Sequence, residues 1–432
     1  MPKMHRFQEW WKRLARAHPV LSNIGILATG TAAGQAVAII ISVFTARLFS
    51  AQAFGEFALF TSITGIFAVI ATLRYDVAIV LPDDDDDARQ LARLATRSNI
   101  AVSLVACVLA FACKPLVIDM WGSRALATWL PLVGLTVFCT AQVAIWQYWY
   151  NRKREYGIIA LNRFETVTGS TGGQLLFGLA KMQSFLGLVL GNLVGLVWAF
   201  FNLGRHTSQL REAPSSQAHT ITDVARRYKN MPLLNLPNAL VDAVRTNGIQ
   251  MLIGTIALDS LGQFNLAWRV VQAPIALLNG AIAQVFLERL ARTPRGHLQH
   301  LVRMVIKRAF LIGLAPFFVL WLLAPWLLPF VFGHQWVEAG QITRALVPWL
   351  AVNLITSPIA SVFVVTFKQH WILIHAIIFT VIPLAWLALS PLSLLPTIQV
   401  LSFLMAGMLL VLVVLADFAA KSYDRGAAEA EA

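Results

Sequence analysis

From about residue 21 to residue 416 the chain is one apolar stretch after another. Each is close to the roughly 20 residues that cross a bilayer as a helix. Inside lipid a backbone has no water to bond to, so spanning segments must satisfy their own N–H and C=O groups, as helices do. Charged residues make up only 13% of the chain and hydrophobic ones 58%, against about 25% charged in soluble domains. The expectation is an all-α membrane protein. Its twelve spans are read at about Leu21–Ala46, Phe57–Val80, Asn99–Val117, Ala127–Tyr150, Ile158–Ala180, Phe185–Leu203, Leu236–Leu258, Gln263–Phe286, Ala309–Phe332, Thr343–Phe367, Trp371–Leu389 and Thr397–Ala416.

The loops set the orientation. One side collects Lys3, Arg6, Lys12, Arg13 and Arg16, then Arg89, Arg93 and Arg97, Arg152 to Arg154, Arg205, Arg211, Arg226 to Lys229, and the basic residues near Arg289, Arg303, Lys368 and Lys421. The other has only Arg47, Lys114, Arg124, Lys181 and Arg344. Cytoplasmic loops are the ones rich in Lys and Arg, so both termini are expected in the cytoplasm. The same rule accounts for the net charge of +13 without nucleic acid. The expected divisions are an interfacial helix over 1–20, a first six-helix lobe over 21–204, a cytoplasmic linker over 205–235, a second six-helix lobe over 236–417, and a cytoplasmic tail over 418–432. In the first of these, Phe7, Trp10, Trp11 and Leu14 share a face, with Lys12, Arg13 and Arg16 elsewhere. That pattern suits a helix lying on an anionic leaflet.

The two halves echo each other. Leu261-Gly262-Gln263-Phe264-Asn265-Leu266-Ala267-Trp268-Arg269 opens the eighth span. Phe54-Gly55-Glu56-Phe57-Ala58-Leu59 opens the second with the same Gly-acid/amide-Phe-x-Leu order. Each half has an even span count, so the repeats are parallel, related by an axis along the membrane normal. The predicted architecture is two six-helix lobes around a central cavity.

Four arginines lie inside spans: Arg74, Arg163, Arg245 and Arg269. A charge at span depth is costly and faces a bundle interior or a wet cavity. Arginine suits phosphate because its fork donates two parallel hydrogen bonds. These four are the candidate substrate-binding residues, although Arg74 and Arg163 lie near enough to the cytoplasmic face to snorkel. Asp242, three residues before Arg245, shares its helix face and forms a candidate ion pair. Asp76 and Glu165 are the other acids near the membrane, as coupling residues or as solvated helix ends. Asp83 to Asp87 reads as a solvated capping loop. Gln142, Trp146 and Gln147 suit either a sugar path or packing, with packing the simpler reading.

Enzyme signals are absent: no phosphate-binding GxxxxGK[ST] loop, no metal-ligand spacing, no nucleophile elbow, and outer loops too short to fold into a domain. No cofactor is expected. Cys107, Cys113 and Cys139 lack any ligand spacing and read as small buried hydrophobes.

The order of these motifs is similar to that of bacterial polysaccharide (O-antigen, Wzx-type) flippases. Tyr228-Lys229-Asn230-Met231-Pro232-Leu233-Leu234 resembles their Tyr-Lys-x-x-Pro-Leu segment, and Phe264 to Arg269 with Gln272-Ala273-Pro274 resembles their Tyr-x-Leu-Ala-x-Arg span. Phe54 to Phe57 and Ala78-Ile79-Val80-Leu81-Pro82 look like their second span, and Asn151 to Arg154 like the basic loop after the fourth. The resemblance runs from about residue 20 to 415. It implies the fold of the multidrug/oligosaccharidyl-lipid/polysaccharide exporter superfamily. It also implies movement of a polyprenyl-diphosphate-linked oligosaccharide from the cytoplasmic to the periplasmic leaflet of the bacterial inner membrane. O-antigen, exopolysaccharide and lipopolysaccharide biosynthesis are the implied settings, and membrane lipids, a polysaccharide polymerase and a chain-length regulator the implied partners. Within it, Arg269 falls on the family arginine of that span. Arg245 and Arg163 rest on span position alone. Two rivals stand beside this reading: a cation-coupled drug or metabolite exporter of the same fold, which would want acids in its cavity, and a membrane glycan polymerase or ligase, which would want a large periplasmic loop.

Overall fold

The computed structural model describes residues 19–212, 219–272, 296–359, 362–366 and 368–431. The expected interfacial helix lies outside them, as does the eighth span beyond residue 272 with Pro274. Among the described residues the long helices are α1 (Pro19–Leu48), α2 (Ala51–Ala71), α3 (Asp85–Ala112), α4 (Leu132–Arg152), α5 (Tyr156–Leu179), α6 (Phe185–Arg205) and α7 (Leu236–Ile256). After these come α8 (258–272), α9 (Leu298–Phe332), α10 (Val337–Ile359), α11 (Gln369–Leu389) and α12 (Leu394–Glu431). No strand occurs among the described residues. Each expected span has helix on its described residues, and the protein is an all-α, multi-pass membrane protein.

Eight of the described helices are long and apolar enough to cross a membrane. Helices α5 and α7 are not among them. Their sequences explain why. Helix α5 carries Asn162, Arg163, Glu165, Thr166, Thr168 and Ser170, and α7 carries Asp242, Arg245, Thr246, Asn247 and Gln250. Helices of this kind need polar surroundings for much of their surface.

The chain forms two compact units: Met1–Thr45, Phe67–Pro115 and Ala127–Pro237 in the first, and Ala46–Ile66, Leu116–Leu126 and Asn238–Ala432 in the second. Two stretches of the first half of the chain thus belong with the second half.

In the first unit α3 packs on α4, and α5 on α6. Gly169 and Gly173 of α5 face Gly195 and Gly191 of α6 so closely that a Cβ on Gly191 would stand 2.2 Å from the Gln174 nitrogen. Such small-xxx-small pairs bring helix backbones together where lipid supplies no hydrophobic drive. Between α3 and α4, Asn99 donates to the Phe138 carbonyl (3.0 Å) and Gln142 donates to Thr96 (3.2 Å), and within α3 Ser103 donates to Asn99 (3.1 Å). Gln147 donates to Asn162 (2.9 Å), which donates to the Ala199 carbonyl. Trp146 packs on Phe200. These residues are packing elements.

The five-acid run is only partly the solvated loop expected. Asp84 caps α3 through the Asp86 nitrogen, but Asp86 and Asp87 are buried. Arg152 and Lys153 from the end of α4 both bind Asp85, and His219 (2.9 Å) and Arg227 (3.4 Å) from the linker both bind Asp87. The basic loop after the fourth span thus serves Asp85, the linker serves Asp87, and Arg89 of α3 itself binds Asp86. In the linker a capping box joins Thr220 and Asp223 at the start of the helix Ile221–Arg227, and hydrogen bonds from the Thr220 hydroxyl and backbone hold the Asp223 carboxyl below its usual range.

The second unit explains the sequence echo. Its two glycines lie against the backbone of the opposite copy: a Cβ on Gly55 would stand 2.0 Å from the Leu258 oxygen, and one on Gly262 would stand 1.8 Å from the Ala51 oxygen. The next residue of each copy is used alike. Glu56 accepts from the Ser123 hydroxyl (2.6 Å), and Gln263 accepts from the Ala339 nitrogen (2.9 Å). A tryptophan beside each of these bonds reaches the other half: Trp121 donates to the Met251 carbonyl (3.2 Å) and Trp336 to the Ala46 carbonyl (2.7 Å). The repeat is therefore a two-fold knot of glycine crossings, acid or amide acceptors and indole donors.

At the other end of this unit, Asp424 of α12 accepts from the nitrogens of Leu298 (3.2 Å) and Gln299 (2.9 Å), capping α9. Arg303 binds Asp417 through two bonds of 2.8 and 2.9 Å.

Overpacking a tight contact costs about 1–3 kcal/mol, occasionally more. Gly262→Ala is expected to lower the thermal midpoint and yield of the purified protein. Gly407→Ala is expected to leave both unchanged, since a Cβ there meets nothing within 4 Å. Scanning both variants by thermal unfolding in one detergent checks the contrast.

Candidate functional site

The predicted second span is not one helix. Helix α2 stops at Ala71, and Leu73 (φ 49°) and Arg74 (φ 63°) are left-handed before a short helix at Tyr75–Ala78. Such backbone costs about 1–3 kcal/mol per residue and persists only where its surroundings hold it. Three contacts do so. The Thr72 hydroxyl accepts from the Arg74 nitrogen (3.3 Å) and donates to the buried Asp76 carboxylate (2.7 Å), and the Tyr75 nitrogen bonds the Thr72 carbonyl (3.0 Å). Asp76 is thus a buried partner of Thr72, contrary to its reading as a solvated helix end.

The break aims Arg74. Its Nε donates to Asn235 Oδ1 at 3.1 Å. Asn235 ends a π-helical turn, Met231–Asn235, formed by the Pro-Leu-Leu part of the Tyr228–Leu234 motif. Turns of this kind are rare and often mark functional sites. Tyr148 on α4 lies within electrostatic reach of Asp76, Arg74 and Arg163. Arg163 itself is exposed on α5, and Glu165 accepts from Asn202 of α6 at 2.6 Å. In the first unit Arg74 thus carries a neutral amide as its partner, and Arg163 stands exposed on α5.

In the second unit Arg245 is half-buried on α7. It binds Asp242 one turn earlier and lies over the Phe379 ring, 5.1 Å from its centroid. The carboxylate of Asp242 is 70% exposed. Exposed ion pairs contribute about 0.2–1 kcal/mol, so Asp242 orients the guanidinium without locking it. His375 stacks on the same Phe379 ring and bonds the Met408 carbonyl.

Arg245 also lines a small cavity of about 10 Å³, room for about one water, with Thr246, Ile249, Gln250, Phe264, Trp268 and Trp349. Helical spacing supplies the wall: 245, 246, 249 and 250 share a face of α7, and 264 and 268 stand one turn apart on α8. Trp268 stacks on Phe264 (6.0 Å) and on Trp349 of α10 (4.9 Å). Asn265 donates to Gln250 Oε1 at 3.1 Å. Arg269 is half-buried on α8, one residue beyond Trp268, and no acid among the described residues pairs with it.

The sequence singled out the four arginines as candidates, and the Asp242–Arg245 pair it offered is present. It did not single out Asn235, Tyr148, Gln250, Trp349 or Phe379, which stand near those candidates. Asn235 had one legible signal, its place at the end of the motif around Pro232.

An all-α, multi-pass chain with Arg163 and Arg245 on helices too polar to count as simple membrane spans has the build of a membrane transporter. Comparison with solved structures agrees on the fold. The lipid II flippase MurJ in an inward closed conformation superposes with a TM-score of 0.74 at 13% identity, over 91% of this chain and 87% of that one. An inward-facing multidrug resistance MATE family transporter of the MOP superfamily matches with a TM-score of 0.65 at 15% identity, over 93% and 96%. A MOP superfamily transporter from Pyrococcus furiosus matches at 0.59 and 14% identity, over 94% and 96%. These similar structures are flippases and transporters, not enzymes. No curated protein matches the chain. The chain belongs to the polysaccharide biosynthesis protein family, whose model matches residues 44–341.

Asp242→Asn removes the charge competing for the Arg245 guanidinium. Affinity for inorganic pyrophosphate is expected to rise roughly two- to fivefold, the worth of an exposed pair. Isothermal titration of wild type and variant measures it.

Proposed function

We propose that this protein is a flippase that moves a polyprenyl-diphosphate-linked oligosaccharide from the cytoplasmic to the periplasmic leaflet of the bacterial inner membrane, with both its termini in the cytoplasm. The observation that carries the reading is the set of span arginines in a chain of the polysaccharide biosynthesis family. Guanidinium forks match diphosphate oxygens in geometry and charge. In the proposed cycle Arg74 and Arg163 serve the first unit and Arg245 and Arg269 the second as holding points for the diphosphate. The sugars cross in water while the polyprenyl tail stays in lipid, by alternating access. The glycan belongs to O-antigen, exopolysaccharide or lipopolysaccharide biosynthesis, and a polymerase with its chain-length regulator takes up the product.

The state of the acids supports an anionic substrate over a cation-coupled exporter. Asp242 is bound to Arg245, Asp76 to Thr72 and Glu165 to Asn202. Each therefore serves better as a positioning group than as a free carboxylate for ion coupling.

Complementation of a strain lacking its polysaccharide flippase tests the reading. Wild type is expected to restore surface glycan. Arg245→Ala with Arg269→Ala is expected to reduce it at least tenfold at equal protein level, about 1.4 kcal/mol or more. Glycan restored equally by both would remove the arginines from the mechanism.

A further inference from the structure

Arg74 is bound in a way that leaves its phosphate-matching edge open. Its Nε donates to Asn235 Oδ1 at 3.1 Å. Its two Nη atoms have no hydrogen-bond or ion-pair partner among the described residues. Asp76, the acid two residues on, is taken up by the Thr72 hydroxyl at 2.7 Å. A guanidinium carries five N–H donors in a fixed fork. Held at Nε, it keeps its far edge, where one N–H from each Nη runs parallel and matches two oxygens of one phosphate.

Two unusual stretches of backbone mount this bond, both in the first unit. On one side is the left-handed pair Leu73 and Arg74. On the other is the π turn, in which the Leu236 nitrogen bonds the Met231 carbonyl five residues back. A π turn holds one residue more than an α turn, and each residue turns a helix by about 100°. The residues on either side of Asn235 are Leu234 and Leu236. The extra residue therefore decides that an amide, and not a leucine, meets Arg74. Leu73 from the break and Met231 from the turn both pack against one buried cluster, which includes Tyr75, Ile79, Leu91 and Val224. Unfavourable backbone persists where its surroundings over-determine it, and it gathers at ligand clamps.

We infer that Asn235 is a positioning residue for the lipid diphosphate: it fixes Arg74 by Nε so that the Nη1–Nη2 edge receives one phosphate. This rests on the flippase reading above and deepens it, by naming how one of its arginines is aimed. The neutrality of the amide is part of the role. An aspartate has nearly the same shape and would hold the guanidinium as firmly. Its charge, however, would offset the one that attracts the diphosphate.

The test is binding of undecaprenyl diphosphate to the purified full-length protein in detergent, with the thermal midpoint of each variant taken alongside. Wild type is expected to bind, and Arg74→Ala to bind more weakly. Asn235→Ala is expected to raise Kd about three- to tenfold, the worth of one hydrogen bond. Asn235→Asp is expected to raise it further still. That order is the deciding readout, because a residue with only a structural role is replaced better by its isostere than by alanine. In an Arg74→Ala background Asn235→Ala is expected to add nothing, since residues that act through one another are not additive. Should Asn235→Ala fail to fold, the isosteric Asn235→Asp decides. A Kd raised at least about tenfold at an unchanged midpoint supports the positioning role, and a smaller change overturns it. Kd unchanged in Arg74→Ala or in both Asn235 variants, or Asn235→Asp binding better than Asn235→Ala, overturns the role and leaves the flippase reading standing. A loss from Asn235→Ala that persists in full without Arg74 overturns it too, because Asn235 would then act by itself. Wild type that binds no undecaprenyl diphosphate sinks the flippase reading, and the positioning role with it.

Discussion

The second unit depends on the crossing of α2 and α8 at Gly55 and Gly262. A Cβ at either position would fall within 2.0 Å of a backbone oxygen, so no other residue fits without moving a helix. The crossing also explains the residues that follow the glycines. Once the backbones touch, Glu56 and Gln263 sit where they accept from Ser123 and Ala339, and Trp121 and Trp336 close bonds to Met251 and Ala46. Helix α8 leaves the crossing in a fixed direction. Phe264, Trp268 and Arg269 then follow at set rotations. The structural repeat and the candidate site are consecutive parts of one helix.

The arginines are held by weak or neutral partners. Arg245 has an exposed carboxylate and an aromatic face, and Arg74 has an amide. A buried, well-matched carboxylate would have neutralised either one. An amide directs a guanidinium and leaves its charge for a ligand. The acids with the most cationic partners, Asp85 and Asp87, lie at the start of α3 with Arg152, Lys153 and Arg227. Strong pairing thus serves the scaffold and weak pairing serves the site.

Much of this was legible in the sequence, for a physical reason. Span length is set by bilayer thickness, so the helices from Leu21 to Ala416 could be read directly. An arginine at span depth, such as Arg269, is conspicuous because lipid penalises it. The Gly-acid/amide-Phe echo was visible as a repeat, but that its copies touch is a tertiary fact. The left-handed break at Leu73 and Arg74 was hidden, because neither is a residue type that favours that backbone. The aromatic wall was hidden too. Trp268 and Trp349 are 81 residues apart, and no local pattern marks them as neighbours.

The most direct measurement is lipid flipping by the purified protein in liposomes. A short fluorescent lipid-linked oligosaccharide would be placed in both leaflets and the pool reachable by an outside reductant followed over time. If arginine-held diphosphate is the basis of transport, wild-type vesicles expose the whole pool, while vesicles with Arg245→Ala and Arg269→Ala stop at the outer half. Equal exposure by both proteins, or none by wild type, would contradict it.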